Sequence, residues 1–187
     1  APGGFYPDLK WEQTTGYNIG VDYGFINNRI SGSVDFYLKR TEDLLNSVSQ
    51  PAGTNFSAYV LANVGNMDNK GVEFNLTLVP VKSKNITWDV NLNATYNKNT
   101  ITNLTVVPKD LNYPGAPGGG ADGVNGPIQL SQVGYAKNTF NLYHQIYDVN
   151  GQPIEGLFED VNRDGIINDK DKYLGKAPDA NLFFGFS

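Results

Sequence analysis

One stretch of this sequence has residue types and spacing that could hold a ligand: Asp160-Val161-Asn162-Arg163-Asp164-Gly165-Ile166-Ile167-Asn168-Asp169-Lys170-Asp171. Oxygen-bearing side chains fall at positions 1, 3, 5, 9 and 12 of that window, and a glycine suited to a sharp turn falls at position 6. Ca2+ takes about six to eight hard oxygen ligands, and alternate residues of a curled loop can point them inward. In that pattern Asp160, Asn162 and Asp164 ligate through their side chains and Ile166 through its backbone carbonyl. Asn168 acts directly or through water, and Asp171 closes the loop. The same Asp, Asn and Gly residues also suit a chain of Asx turns with no ion. A bound ion here would stiffen an exposed loop and perform no chemistry.

Other chemistry is excluded more firmly. The sequence has no cysteine, which removes a disulfide framework, a thiolate metal site and a cysteine nucleophile. His144 is the only histidine, so neither a histidine metal cluster nor a histidine-based triad can be assembled, and it reads as a solvated or hydrogen-bonded loop residue. Glu12, Glu42 and Glu155 stand singly and offer no carboxylate pair. The glycine-rich stretch 115–123 lacks the Lys-Ser/Thr of a phosphate loop. The chain is therefore expected not to be an enzyme. With 14 Lys+Arg against 19 Asp+Glu and a net charge of −5, it lacks the basic surface that nucleic acid requires. Phe56, Tyr59, Tyr113 and Tyr135 are aromatic side chains that could stack on sugar rings.

The elements that must position these residues are strands, because alternation is plain and helical spacing is not. From Tyr17 to Phe25 the odd positions are Tyr, Ile, Val, Tyr and Phe, with Asn, Gly and Asp between them. After Ile26-Asn27-Asn28-Arg29, a hairpin signal, the run from Ile30 to Lys39 alternates again. A third run carries Val72, Phe74, Leu76 and Leu78, and Pro80–Asn85 then forms a turn. A fourth run from Ile86 to Asn97 sets Trp88, Val90, Leu92 and Tyr96 against Asp89, Asn91 and Asn93. Leu182, Phe184 and Phe186 begin a fifth. The fold class is all-β, an antiparallel meander with one apolar and one polar face. Such a face is buried either against a second sheet in a soluble sandwich or against lipid in an outer-membrane barrel.

Connection lengths favour the barrel. Short links near 26–28 and 80–85 alternate with long ones near 41–68 and 99–181, as periplasmic turns alternate with outer loops. Runs of roughly ten residues suffice to cross a membrane at a tilt of about 45°. Phe25 and Trp88 near the short turns, and Phe36, Tyr37 and Tyr96 toward the long loops, fit interfacial girdles. Five strands cannot close a bacterial barrel, so the chain reads as a slice of a larger one. Within the long connection, Phe140–Tyr147 is expected to form a local hairpin, and the Gly/Pro-rich 114–123 to be weakly structured.

Three stretches resemble the SusC/RagA-type family of TonB-dependent outer-membrane transporters of Bacteroidetes. The first is Pro7-Asp8-Leu9-Lys10-Trp11-Glu12 with Asn18-Ile19-Gly20-Val21-Asp22-Tyr23-Gly24-Phe25 and Asn27-Asn28-Arg29-Ile30. The second is Asn63-Val64-Gly65-Asn66-Met67-Asp68-Asn69-Lys70-Gly71-Val72-Glu73. The third is the Asp160–Asp171 loop followed by Leu174-Gly175 and Pro178, with Arg163 where the family has Gly. The resemblance implies that 1–187 belongs to the barrel domain of such a receptor, with no plug domain, and that 99–181 is an extracellular loop region containing the calcium-type loop 160–171. It also implies a parent in the bacterial outer membrane, contacting its lipid, that imports glycans or peptides under a SusD-like surface lipoprotein lid and is energised by a TonB complex. Asp22, Asp35, Asn75, Asp89, Asn91 and Asn93 would line the lumen. The other reading is a soluble extracellular β-sandwich, a carbohydrate-binding module or adhesin, with a calcium-stiffened loop. It requires Val72, Phe74, Leu76, Trp88, Val90 and Leu92 to face a second sheet.

Overall fold

Alternating β-formers on either side of an Asn-Asn pair leave the backbone one economical solution, an antiparallel hairpin. The computed structural model, which describes residues 4–49, 53, 56–106, 113–118, 122–123 and 126–187, shows that hairpin extended into a meander. The long strands are β1 (Gln13–Phe25), β2 (Ile30–Ser49), β3 (Tyr59–Lys82) and β4 (Thr87–Asn103). Short strands follow: β5 (Ala116–Pro117), β6 (Asp122–Gly123), β7 (Gly126–Pro127), β8 (Gln129–Ser131), β9 (Thr139–Tyr143), β10 (Gln145–Tyr147), β11 (Pro153–Phe158) and β12 (Lys172–Leu174). β13 (Leu182–Phe186) then returns to the main sheet, whose five strands run β1-β2-β3-β4-β13, every neighbour antiparallel.

Register sorts the side chains into rows. Ile19, Phe36, Val72, Tyr96 and Leu182 lie side by side across the sheet, and so do Val21, Val34, Phe74, Ala94 and Phe184. On the opposite face Asp22, Ser33, Asn75 and Asn93 form one row, and Asp35, Glu73 and Thr95 another. The apolar rows have nothing packed over them among the described residues: Ile19 is 72% exposed, Phe36 52%, Trp88 58% and Phe184 82%. Water would forgo about 2 kcal/mol for each such side chain. The second sheet that a sandwich needs is absent among the described residues.

The strands run further than the alternation. The connection expected at 41–68 is mostly strand, because β2 continues to Ser49 and β3 begins at Tyr59. Beyond Arg40 polar and apolar residues mix along the strand, from Thr41, Glu42 and Asp43 to Leu44, Leu45 and Asn46, so the contrast between odd and even residues fades while backbone pairing continues. A bulge after Thr41 resets the register, with Asp43 at a left-handed φ of 62°. Asn63 clamps the bulge: its amide donates to the carbonyls of Asp43 (2.7 Å) and Lys10 (2.8 Å), and its oxygen accepts the Lys10 N–H at 2.8 Å. The second turn also moves, to Ser83–Ile86, where Ser83 N–H donates to Ile86 O at 2.8 Å. Pro80 falls inside β3 in the register gap between Leu78 and Val81, a bulge where its missing N–H does no harm.

Burial concentrates where the long connection folds back on the extended strands. Val60, Ala62, Val64, Ile101 and Leu104 are the buried apolar side chains among the described residues. Ile101 exchanges backbone bonds with Tyr135 and Gly134, and Asn46 donates to Leu104 O at 2.9 Å. The connection 99–181 is thus a small folded assembly, with residues 107–112, 119–121 and 124–125 outside those described. Part of the glycine-rich stretch is ordered, since Ala116–Pro117 pairs with Leu130–Ser131. Phe140–Tyr147 does not fold on itself: β9 pairs with β8 and β12, whereas β10 pairs with β11. The hairpin turn lies one step later, where the Asp148 carboxylate accepts the N–H groups of Asn150 and Gln152, both at 2.8 Å, and Gly151 takes φ 77°.

Two tyrosines pin the meander by the same device on opposite faces. Tyr23 of β1 lies across Gly32 of β2 and donates to the Asn75 carbonyl of β3 at 3.0 Å. Tyr37 of β2 lies across Gly71 of β3 and donates to Asn97 Oδ1 of β4 at 3.0 Å. A β-carbon at Gly32 would overlap the Asn75 carbonyl, and one at Gly71 the Tyr96 carbonyl, so neither site has room for a methyl group. Gly71→Ala in the full-length protein should therefore lower folding stability by about 1–3 kcal/mol, whereas Tyr37→Phe should lower it by about 1 kcal/mol. Urea titration of detergent-folded protein measures both, and an Ala variant as stable as wild type would refute the packing account.

Candidate functional site: the acidic loop and the polar wall

The acidic loop hangs between β11 and β12, whose own anchoring fixes its ends. Glu159 N–H donates to His144 O at 3.0 Å, and β12 pairs with β9 through Lys172, Tyr173 and Leu174. Rings meet at its base strands: Tyr143 lies tilted against Phe158 at 5.1 Å and 35°, and His144 stacks on Tyr173 at 3.8 Å and 13°. The sole histidine is therefore half of an aromatic stack. Nearly buried Lys172 pairs with Asp169 at 2.7 Å and places its ammonium 5.1 Å from the Tyr143 ring centre.

Within the loop the carboxylates are spent on backbone amides. Asp160 accepts the N–H of Asp164 at 3.2 Å and of Gly165 at 2.7 Å. Asn162 Oδ1 accepts Asp164 N–H at 2.9 Å, and Asp164 Oδ1 accepts Ile166 N–H at 2.9 Å. Asn168 Nδ2 donates to Ile166 O at 3.1 Å, while Asn168 caps the 3-10 turn Asp169–Asp171 by accepting Lys170 N–H at 2.9 Å. Arg163 adopts φ 60° and Gly165 φ 82°, so a side chain stands at Arg163 in a backbone region that glycine fills more easily.

Asp171 is the keystone, with 0% of its surface exposed. Its Oδ1 accepts Val161 N–H at 3.0 Å and Asn162 N–H at 3.4 Å, and its Oδ2 accepts Asn168 N–H at 2.9 Å. The Asn168 amide above all, then those of Asn162 and Val161 with the nearby Lys170 charge, holds its pKa below the ordinary 3.8 against the opposing effect of burial.

The loop thus brings together all six residues singled out from the sequence. Their ligating atoms are hard oxygens only, and the two Asp160 carboxylate oxygens and Asp164 Oδ1 each accept a single backbone N–H, which suits a hard divalent cation in type. Among the described residues no three of His, Cys, Asp and Glu converge as a metal cluster, so the carboxylates serve first to shape the turn.

Register places Asp22, Asp35, Asn75, Asp89, Asn91 and Asn93 on the polar face, as the alternation predicts. Asn75 donates to Ser33 Oγ at 3.2 Å, Thr77 to Asn91 Oδ1 at 2.9 Å, and Asn99 to Asn69 Oδ1 at 2.8 Å. Asp35 stands directly opposite Glu73, with no cation paired to either among the described residues. Such a wall can solvate a polar solute. Phe56, Tyr59 and Tyr135 are exposed, at 81%, 61% and 44%. The Asn63 clamp and the Tyr–Gly crossings escape a sequence reading. Centring the first hairpin on Asn27-Asn28 would have revealed one crossing, since it sets Tyr23 opposite Gly32.

Because the folded pKa of Asp171 lies below its unfolded value, its stabilisation is complete above pH 3.8 and fades as pH falls through the lower, folded value. Pepsin should therefore spare the loop at about pH 4 and cut it progressively at lower pH. Asp171→Asn should be cut throughout that range. Identical cleavage of wild type and variant would refute the keystone role.

The family described as TonB dependent receptor-like, beta-barrel matches residues 1–178. The chain is 44% identical over 186 residues to the TonB-dependent receptor SusC of Bacteroides thetaiotaomicron, covering 100% of this chain and 18% of that protein. It is 33% identical over 190 residues to the TonB-dependent receptor P26 of Formosa agariphila, covering 96% of this chain and 19% of the relative. The solved RagAB peptide transporter shares the fold with a TM-score of 0.67 at 24% identity, over 96% of this chain and 20% of that one. The 'open-open' state of the RagAB peptide importer gives 0.69, also at 24% identity, over 96% of this chain and 19% of that one. The chain thus spans about a fifth of the length of these proteins. A five-stranded sheet with a bare apolar face, a polar reverse and this kinship together make the chain part of an outer-membrane β-barrel, and it belongs to the TonB-dependent receptor β-barrel family.

Proposed function

We propose that the chain is a section of barrel wall in a TonB-dependent transporter that carries glycan or peptide oligomers across the outer membrane. The observation that carries this reading is the sheet itself, with five strands apolar toward lipid and polar toward an interior. The polar rows through Asn75, Asn91 and Asn93 hydrate the passage, and the acidic row at Asp35 and Glu73 gives it a negative field. The folded connection 99–181, on the outer side, meets cargo and a SusD-like lipoprotein lid. A TonB complex on the periplasmic side supplies the energy.

Cells lacking the full-length protein should lose uptake of fluorescent oligosaccharides or of fluorescent oligopeptides, and a protonophore should abolish the same uptake in wild type. A deletion strain that accumulates both probes at the wild-type rate would refute the transporter reading.

The loop Asp160–Asp171 takes Ca2+ in this proposal, through Asp160, Asn162, Asp164, the Ile166 carbonyl, Asn168 and Asp171. Support comes from the donor types and from the curl that already gathers them. The ion would supply only rigidity, by drawing on the lone pairs left free by the amides. Millimolar Ca2+ should slow proteolysis between Asp148 and Lys172 in the full-length protein by several-fold, and a chelator should reverse it, in line with stabilisation by ligand binding. Digestion rates indifferent to both would remove calcium from the loop.

A further inference from the structure

The apolar face does not stay apolar to the top of the sheet. Two rows above Phe74 the alternation places Lys70 and Lys98, directly opposite one another, where Val72 and Tyr96 lead one to expect further apolar residues. Tyr17 and Leu38 complete that row, and with Val72, Tyr96 and the two lysines they line a shallow apolar groove. Both lysines are exposed and neither forms an ion pair among the described residues. One row higher Arg40 is engaged by Asp68 at 3.2 Å, whereas the lysine pair has no such partner among the described residues.

Height fixes what the lysines meet. Ten residues of β4 separate Trp88 from Lys98 on the same face. At about 3.4 Å per residue and a tilt of about 40°, Lys98 stands roughly 25 Å above Trp88, the height of a barrel's lipid-facing band. The lysines are at the end nearer the long connections, which in such barrels is the outer surface. A neutral lipid has no group for two adjacent ammonium ions there, whereas a phosphate does.

We propose that Lys70 and Lys98 form a site for a phosphate-bearing lipid of the outer leaflet, the phosphate held between the two ammonium groups and an acyl chain lying along Tyr17, Leu38, Val72 and Tyr96. The occupant is a lipid because the groove continues downward into the lipid-facing rows and its charge sits at headgroup height. The site rests on the membrane reading only in placing this face in the bilayer; a protein that needs no detergent would refute that reading, whereas the experiment below addresses the site alone.

The full-length transporter in detergent is offered phosphorylated lipid A and, separately, the same lipid stripped of its phosphates, and the bound fraction is read by native mass spectrometry. Wild type should favour the phosphorylated form roughly tenfold, as expected of two lysines at a charged headgroup. Lys70→Gln/Lys98→Gln should bind both forms equally, and each single variant should lose roughly threefold. Lys39→Gln/Lys84→Gln, the same charge change on the polar face and in the far turn, should keep the wild-type preference. Equal binding of both lipids by wild type would overturn the site, as would a preference that survives in the double variant. Displacement by an equal concentration of inorganic phosphate would also overturn it, since the acyl groove would then contribute nothing.

Discussion

Everything in this chain depends on saturating backbone hydrogen bonds where there is no water to accept them. In hydrocarbon an unpaired N–H or C=O costs several kcal/mol, far more than any side-chain interaction on these strands contributes. The four long strands therefore pair along nearly their whole length, and the departures are bulges: after Thr41, between Asn66 and Met67, and between Leu78 and Val81. β1 and β13 are the edges of the sheet, and an open edge cannot stand in lipid. Further strands must flank both. Relatives about five times as long as this chain leave ample sequence for them.

Pairing decides which residues share a row, and the rows then decide the environment. Because the side-chain period is two, a slip of one residue would carry Ile19, Val21 and Tyr23 from lipid into the lumen and bring Asp22 out. The Tyr–Gly crossings make such a slip expensive. Tyr23 fills the space left open by Gly32, and Tyr37 that left by Gly71, so a shifted strand would lose both fits and set residues with side chains opposite the rings. The two crossings link four successive strands in overlapping threes, which propagates the register set by the Asn27-Asn28 turn. That turn is itself under strain, since Ile26, a β-branched residue, joins Asn27 and Asn28 at positive φ.

The sheet was legible in the sequence because lipid and lumen impose opposite demands on neighbouring residues. Where that contrast ends, legibility ends too. Residues 41–68 looked like a loop since polar and apolar residues mix along the extension, yet Val60, Ala62 and Val64 alternate with exposed Tyr59 and Leu61 in a short pattern of their own. The buried residues form the opposite set from the one an ordinary protein would suggest: the most apolar rows are exposed, and the core lies under the folded connection. In that connection the Asx turns of the loop that starts at Asp160 were readable from residue type. The partners of β9 and β10 were not, because strands this short carry too few residues to specify a neighbour.

The acidic loop shows how shape can precede a ligand. Its carboxylates accept six backbone N–H bonds between them, three at Asp171, two at Asp160 and one at Asp164. These bonds already curl the chain and gather its oxygens, so any cation would meet a preformed turn and would not have to order it. Preorganisation of this kind lowers the entropic cost of binding, but it also means that the fold of the loop does not depend on the ion. What it depends on is Asp171, whose two oxygens tie both ends of the twelve-residue segment together and whose side chain is wholly buried. An aspartate reaches those amides from the first turn of a 3-10 helix. The longer glutamate would have to fold back on itself or push the helix away, which accounts for the shorter acid at the closing position.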